Sequence, residues 1–201
     1  MNLEVLTTLQ WIFVLAAAVI LHEYAHGWVA LKLGDPTAKL LGRLTLNPLK
    51  HIDPIGTILV PIITKLTLGF PFGWAKPVPV NFTNLRNPKR DMILVAAAGP
   101  AINIVLALIA SVLFPLGPQI FGLAVVINLM LAVFNMIPIP PLDGSRILAG
   151  FLPTSLARQY LFLEPFGFII LIVLLQMNAL DFLGGFVLAI AKVLIGNFAI
   201  T

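Results

Sequence analysis

The chain has 201 residues, 60% of them hydrophobic and 10% charged, with a formal net charge of +4. Soluble domains carry about 25% charged residues and membrane-barrel strands alternate apolar with polar, so this composition and its continuous apolar runs exclude both. The few basic residues sit at segment ends, which excludes a nucleic-acid surface, and the absence of cysteine excludes disulfides and thiolate metal sites.

The first predicted helix is Leu6–Leu33. It would run roughly 42 Å, more than the ~30 Å hydrocarbon core. Met1–Gln10 contains Glu4 and no basic residue, so the segment reads as a retained span and not as a leader. Gly34-Asp35-Pro36 ends it. Residues 35–54 form a polar connector, and Thr37–Leu46 within it has the length of a short interfacial β-hairpin. Ile55–Phe72 is apolar but interrupted by Gly56, Pro61, Lys65, Gly69 and Pro71. It reads as re-entrant, a form tolerated where protein or a cavity shelters the backbone. A second, proline-rich connector covers residues 73–91. Met92–Leu116, Ile120–Ile137, Tyr160–Met177 and Phe182–Ala199 are the remaining predicted spans.

The connectors carry Lys32, Lys39, Arg43 and Lys50, and Lys76, Arg86, Lys89 and Arg90. The positive-inside rule puts both in the cytoplasm, which works only if the segment between them is re-entrant. The expected architecture is an all-α polytopic membrane protein with about five transmembrane helices, a re-entrant segment and the interfacial hairpin. Its N-terminus is outside and its C-terminus cytoplasmic. One membrane-embedded domain fills residues 1–201, with a core over 6–150 and C-terminal helices over 160–199, leaving no room for an appended soluble module.

Within the first apolar run, residues 22–26 read His-Glu-Tyr-Ala-His. Ionisable residues in hydrocarbon are expensive, so this cluster demands a reason. On a helix His22 and His26 lie one turn apart on one face and can reach one metal ion, with Glu23 beside them to take a proton from water. HExxH on a helix is the signature of a zinc metalloprotease. A catalytic zinc takes three protein ligands, so one is missing. Among the few carboxylates Asp143 is the best candidate, since it follows a segment broken by Pro138, Pro140 and Pro141 at a matching depth. One carboxylate beside neutral imidazoles also brings a divalent ion close to the neutrality that a low-dielectric site tolerates. Asn103 and Asn135, lone amides in apolar segments, are candidates to bind substrate or donate to an oxyanion. Each also fits a role as hydrogen-bonding glue between helices. His51 reads as an interfacial loop residue.

The sequence resembles the site-2 protease family of intramembrane zinc metalloproteases. The resemblance rests on His22-Glu23-Tyr24-Ala25-His26, on Gly99-Pro100-Ala101-Ile102-Asn103, and on Asn135 through Asp143-Gly144, and it spans roughly residues 10–150. The connector Leu44-Thr45-Leu46-Asn47-Pro48 through His51-Ile52-Asp53-Pro54 is similar to the compact bacterial and archaeal branch. The resemblance implies one zinc ion per chain held by His22, His26 and Asp143. It implies Glu23 as the base and Asn135 assisting the substrate or oxyanion. It implies a substrate that is itself a transmembrane protein segment, cut near the cytoplasmic side of the cell membrane. A helix before the motif and an appended PDZ or CBS domain, found in other branches, are not expected here. Two other classes compete. A membrane metal transporter accounts for the ligands but not for Glu23. A non-catalytic relative that binds membrane segments does not need Glu23 and Asp143 together.

Overall fold

A computed structural model describes residues 3–196, and among them the chain is helical with no strand. Four stretches are long and apolar enough to cross a membrane: Glu4–Lys32, Pro88–Leu116, Pro118–Asn135 and Thr154–Gln176. These fall in α1 (Leu3–Lys32), α4 (Pro88–Leu113), α5 (Pro118–Asn135) and the pair α7 (Thr154–Leu161) and α8 (Gly167–Gln176). Of the fifth expected span, Phe182–Ala199, the structure describes α9 (Phe182–Ile195), 14 residues and not among the four stretches long enough to cross; residues 197–199 lie outside the described residues. This is a polytopic membrane protein. Its outward faces are apolar, as Ile12 (59% exposed) and Phe13 (67%) show on α1, which suits a hydrocarbon surround.

Helix α4 is central and packs on α1, α5 and α6 (Asp143–Phe151). Because lipid is as apolar as leucine, helices in a membrane associate through close packing of small side chains. Ala107 and Ala110 of α4 and Ala191 of α9 provide that approach, filled in by Phe114, Val125, Leu129 and Val187. Val14 and Ala18 of α1 meet Ile127 of α5 in a second cluster. A third, at the far end of α1, joins Ala30 to Leu85 and Val95. The second and third clusters hold α1 on either side of the histidines.

Two residues past the end of α1 stands Gly34, whose φ of +114° a residue with a side chain rarely adopts. The next residues fold into α2 (Thr37–Leu40), one helical turn and not the expected hairpin. Pro36 opens that turn and Gly42 (φ +63°) closes it, while Ala38 packs fully buried under α1. This local geometry favours a compact turn over a paired ladder.

The interrupted segment, expected to be re-entrant, folds out and back on itself. Asp53 caps it, accepting from the Ile55 and Gly56 amides, and a π-helical turn (Pro54–Leu59) leads into α3 (Val60–Leu68). Gly69 (φ +85°) terminates α3, and residues 71–81 return without regular structure. The return leg lies against the helix it came from: Phe72 N–H donates to Thr64 Oγ1 (2.8 Å), Trp74 N–H to the Gly56 carbonyl (3.0 Å), and Lys76 N–H to the His51 carbonyl (2.9 Å). Its two ends therefore meet at the same end of α1. Arg43 donates to the Lys76 and Pro77 carbonyls there, and Asp35 accepts from the Asn81 amide and the Asn84 side chain. The two basic connectors are thus one assembly.

Candidate metal centre

Three side chains from two distant stretches converge inside the bundle. His22 Nε2 lies 3.0 Å from His26 Nε2 and 3.1 Å from Asp143 Oδ2, and His26 Nε2 lies 3.3 Å from Asp143 Oδ1. One atom from each falls within 4.8 Å of the others. His22 and His26 are 6% and 8% exposed. The local sequence explains the convergence. One helical turn aligns the histidines on one face of α1. Gly99 lets α4 press against them, because a Cβ at Gly99 would overlap both Nε2 atoms. Gly144 lets the chain fold back beneath the end of α5, because a Cβ there would overlap the Met136 and Ile137 backbone. Asp143 is thereby carried into the site as the first residue of α6.

Protons can be assigned from the surroundings. His26 Nδ1 faces the Val95 carbonyl at 2.7 Å, which only accepts, so that nitrogen carries the hydrogen. His22 Nδ1 faces Asn103 Oδ1 at 2.6 Å and donates likewise. With both rings neutral, the form that binds a metal, both Nε2 atoms turn lone pairs toward the Asp143 carboxylate, whose buried Oδ2 accepts no hydrogen bond. Electron-rich atoms this close and this buried repel one another unless a metal ion or a proton sits among them. Two imidazoles and one carboxylate suit a divalent transition ion with an open fourth position. The residues present fit such an ion.

Glu23 lies beside the centre, and its Oε2 accepts from the Val78 amide on the return leg at 2.7 Å. Nothing in the sequence signalled this partner, since a backbone N–H has no side-chain signature. Its setting is legible afterwards: Pro77 and Pro79 carry no N–H, so Val78 is the sole donor between them. A residue before proline is held extended, which keeps that donor aimed. Asn135 lines the same cleft as Glu23, His22, His26 and Asp143, with its amide nitrogen on the Leu131 carbonyl at 3.0 Å. The cleft encloses about 1090 Å³. Trp74, stacked on Phe168 of α8 at 4.4 Å, borders it on the far side. Arg146 and Glu164 pair across its rim at 2.6 Å, with the Arg146 guanidinium over the Phe82 ring.

Asn103, expected at the substrate, is instead fully buried behind His22 and away from the cleft lining. Its amide nitrogen donates to the Ala18 carbonyl (3.3 Å) and to Asn128 Oδ1 (2.9 Å). Asn128 was missed, although it carries the same signal as Asn103 and Asn135: one amide in an apolar segment. His51 is buried in the connector, its Nε2 on the Thr45 carbonyl at 2.8 Å, remote from the ligand set.

Comparison with known proteins bears on what this site does. The model of peptidase family M50 matches residues 116–175, which carry Asn128, Asn135 and Asp143. The chain is 41% identical over 178 residues to YwhC of Bacillus subtilis, covering 81% of this chain and 78% of that one. It is 33% identical over 177 residues to Rip2 of Mycolicibacterium smegmatis, covering 82% of this chain and 65% of the relative. It is 29% identical over 145 residues to the zinc metalloprotease MJ0392 of Methanocaldococcus jannaschii, of whose length it spans 33%. No solved structure matches. The chain belongs to peptidase family M50, the site-2 protease family.

Proposed function

We propose that this chain is an intramembrane zinc endopeptidase, cutting peptide bonds within or next to transmembrane segments of membrane proteins. The observation that carries the reading is the convergence of His22, His26 and Asp143, one ligand atom from each within 4.8 Å of the others, inside a membrane helix bundle, with Glu23 beside them. His22, His26 and Asp143 would hold the ion. Bound there, zinc would supply Lewis acidity, lowering the pKa of the attacking water toward ~7 and polarising the scissile carbonyl.

The chain's own residues do the rest. Glu23 takes the proton of the attacking water and returns it to the leaving amine. The Val78 N–H holds one Glu23 oxygen in place, which leaves the other for the reacting proton. Asn135 lies on the cleft wall where it can meet the substrate backbone or the oxyanion. A membrane segment arrives as a helix with its backbone bonded internally and must be extended to be cut. The return leg 71–81 forms no helix and borders the cleft, so backbone groups there that are not already bonded could pair with an unwound substrate. The joined basic connectors face the cytoplasm in this reading, which puts the cut near that side and the N-terminus outside.

The test is cleavage of single-span substrates by the purified chain with its zinc content measured. Wild-type protein should cleave and Glu23→Gln should keep zinc and lose cleavage. Zinc flux in vesicles without cleavage would favour a transporter instead.

A further inference from the structure

His22 and His26 present the same nitrogen to the centre, but by different means. His26 Nδ1 donates to a backbone carbonyl, an acceptor that cannot turn round. His22 Nδ1 meets a side-chain amide, which can present either oxygen or nitrogen. If the Asn103 amide were reversed, its NH₂ would face His22 Nδ1, and the ring hydrogen would move to Nε2, where a metal must bind. Something must direct the amide. The Ala18 carbonyl accepts from Asn103 Nδ2 at 3.3 Å, a long bond. The shorter one, 2.9 Å, runs to Asn128 Oδ1. Asn128 is itself directed, because its nitrogen donates to the Ala124 carbonyl one turn back at 2.9 Å. Asn103 and Asn128 are 0% and 4% exposed, so no water competes for these contacts.

We propose that Asn128 and Asn103 form a directional relay that starts at the Ala124 carbonyl and fixes His22 with its hydrogen on Nδ1 and its Nε2 lone pair on the metal. Both are positioning residues; neither touches the ion or substrate. The relay crosses three helices, α5 to α4 to α1, so it also couples the ring's orientation to the packing of α5. This rests on the metal-centre reading above. Partners that fix a ligating histidine typically change metal affinity by roughly 10–100-fold when lost.

The experiment is a double-mutant cycle on the full chain in detergent, using Asn103→Leu, Asn128→Leu and both together. Zinc affinity is read by chelator competition, melting of the metal-free protein separately, and cobalt(II) d–d absorption as the signature of ligand geometry. Asn103→Leu should weaken zinc by roughly 10–100-fold and Asn128→Leu by about 10-fold. The double variant should be no weaker than Asn103→Leu alone, because the second asparagine acts only through the first. The cobalt band of Asn128→Leu should differ from wild type. If Asn103→Leu does not fold, Asn128→Leu decides alone through its affinity and its cobalt band. Helix glue predicts the opposite pattern: lower melting, with wild-type zinc affinity and cobalt spectrum in Asn128→Leu, and that result overturns the relay. Additive losses in the double variant overturn it too. Failure of the wild-type chain to take up zinc would instead defeat the metal-centre reading itself.

Discussion

The metal centre and the return leg 71–81 lie side by side and are held by different means. At the centre, neutral groups orient the histidines: two imidazole hydrogens point at a carbonyl and an amide oxygen, deep among α1, α4 and α5. The first half of the return leg is held by neutral groups, but from Lys76 onward ionisable side chains hold it, Arg43 on the Lys76 and Pro77 carbonyls, Glu23 on the Val78 amide and Asp35 on the Asn81 amide. A metal site needs fixed lone pairs, and uncharged buried partners fix them without a desolvated charge. A segment that borders a substrate cleft is better held by a few bonds at its mouth. Glu23 belongs to both regions, which makes it the point where loosening the leg would reach the chemistry.

The sharpest way to separate the two regions is Glu23→Gln. It should retain zinc and lower cleavage by roughly 10²–10⁴-fold, the range for a lost general base. Gly99→Ala attacks the centre without touching a ligand. Its Cβ would overlap both Nε2 atoms, so about 1–3 kcal/mol of overpacking should appear as weaker zinc retention, with the leg unaffected. Val78→Pro attacks the junction by deleting one N–H. A hydrogen bond to a charged group contributes about 1.5–3 kcal/mol, so turnover should fall about 10–100-fold with zinc content unchanged, while Val78→Ala stays near wild type.

The smallest effect concerns the far anchor. Burial pushes the Asp35 carboxyl up, but the Thr37 hydroxyl, the Asn84 amide and the Asn81 and Thr37 backbone N–H groups outweigh it and hold the group below its ordinary 3.8. A depressed carboxyl contributes its full stabilisation above its ordinary value and loses it as pH falls through the folded one. The leg should therefore stay docked from neutral pH to about 4 and loosen below that. Trp74 fluorescence, with Trp11 and Trp28 replaced by Phe, would follow it. Asp35→Asn should make the acid-induced change shallower.

How far the sequence spoke depended on whether the information lay in side-chain identity or in backbone placement. His22, His26 and Asp143 were legible because ionisable groups in apolar runs are rare and their spacing is specific. That 55–72 is broken and folds back was legible from its prolines and glycines. The β-hairpin over Thr37–Leu46 was misread, because length and polarity do not distinguish a paired ladder from the turn that Pro36 and Gly42 impose. The Val78 N–H was invisible, since any residue but proline has one. Asn103 was noticed but its direction was not: an apolar helix shows that an amide is buried, and only the packed neighbours show what it faces. Gly99 and Gly144 stood inside quoted motifs, yet what they exclude, a Cβ against the imidazoles and against the α5 end, appears only once the helices are assembled.

The central claim is that His22, His26 and Asp143 together hold one metal ion. Zinc content of the purified chain, measured for wild type, Glu23→Gln and Asp143→Ala under one protocol, tests it most directly. The account predicts about one zinc per chain in the first two and a large loss in the third. A full equivalent of zinc retained by correctly folded Asp143→Ala would contradict it.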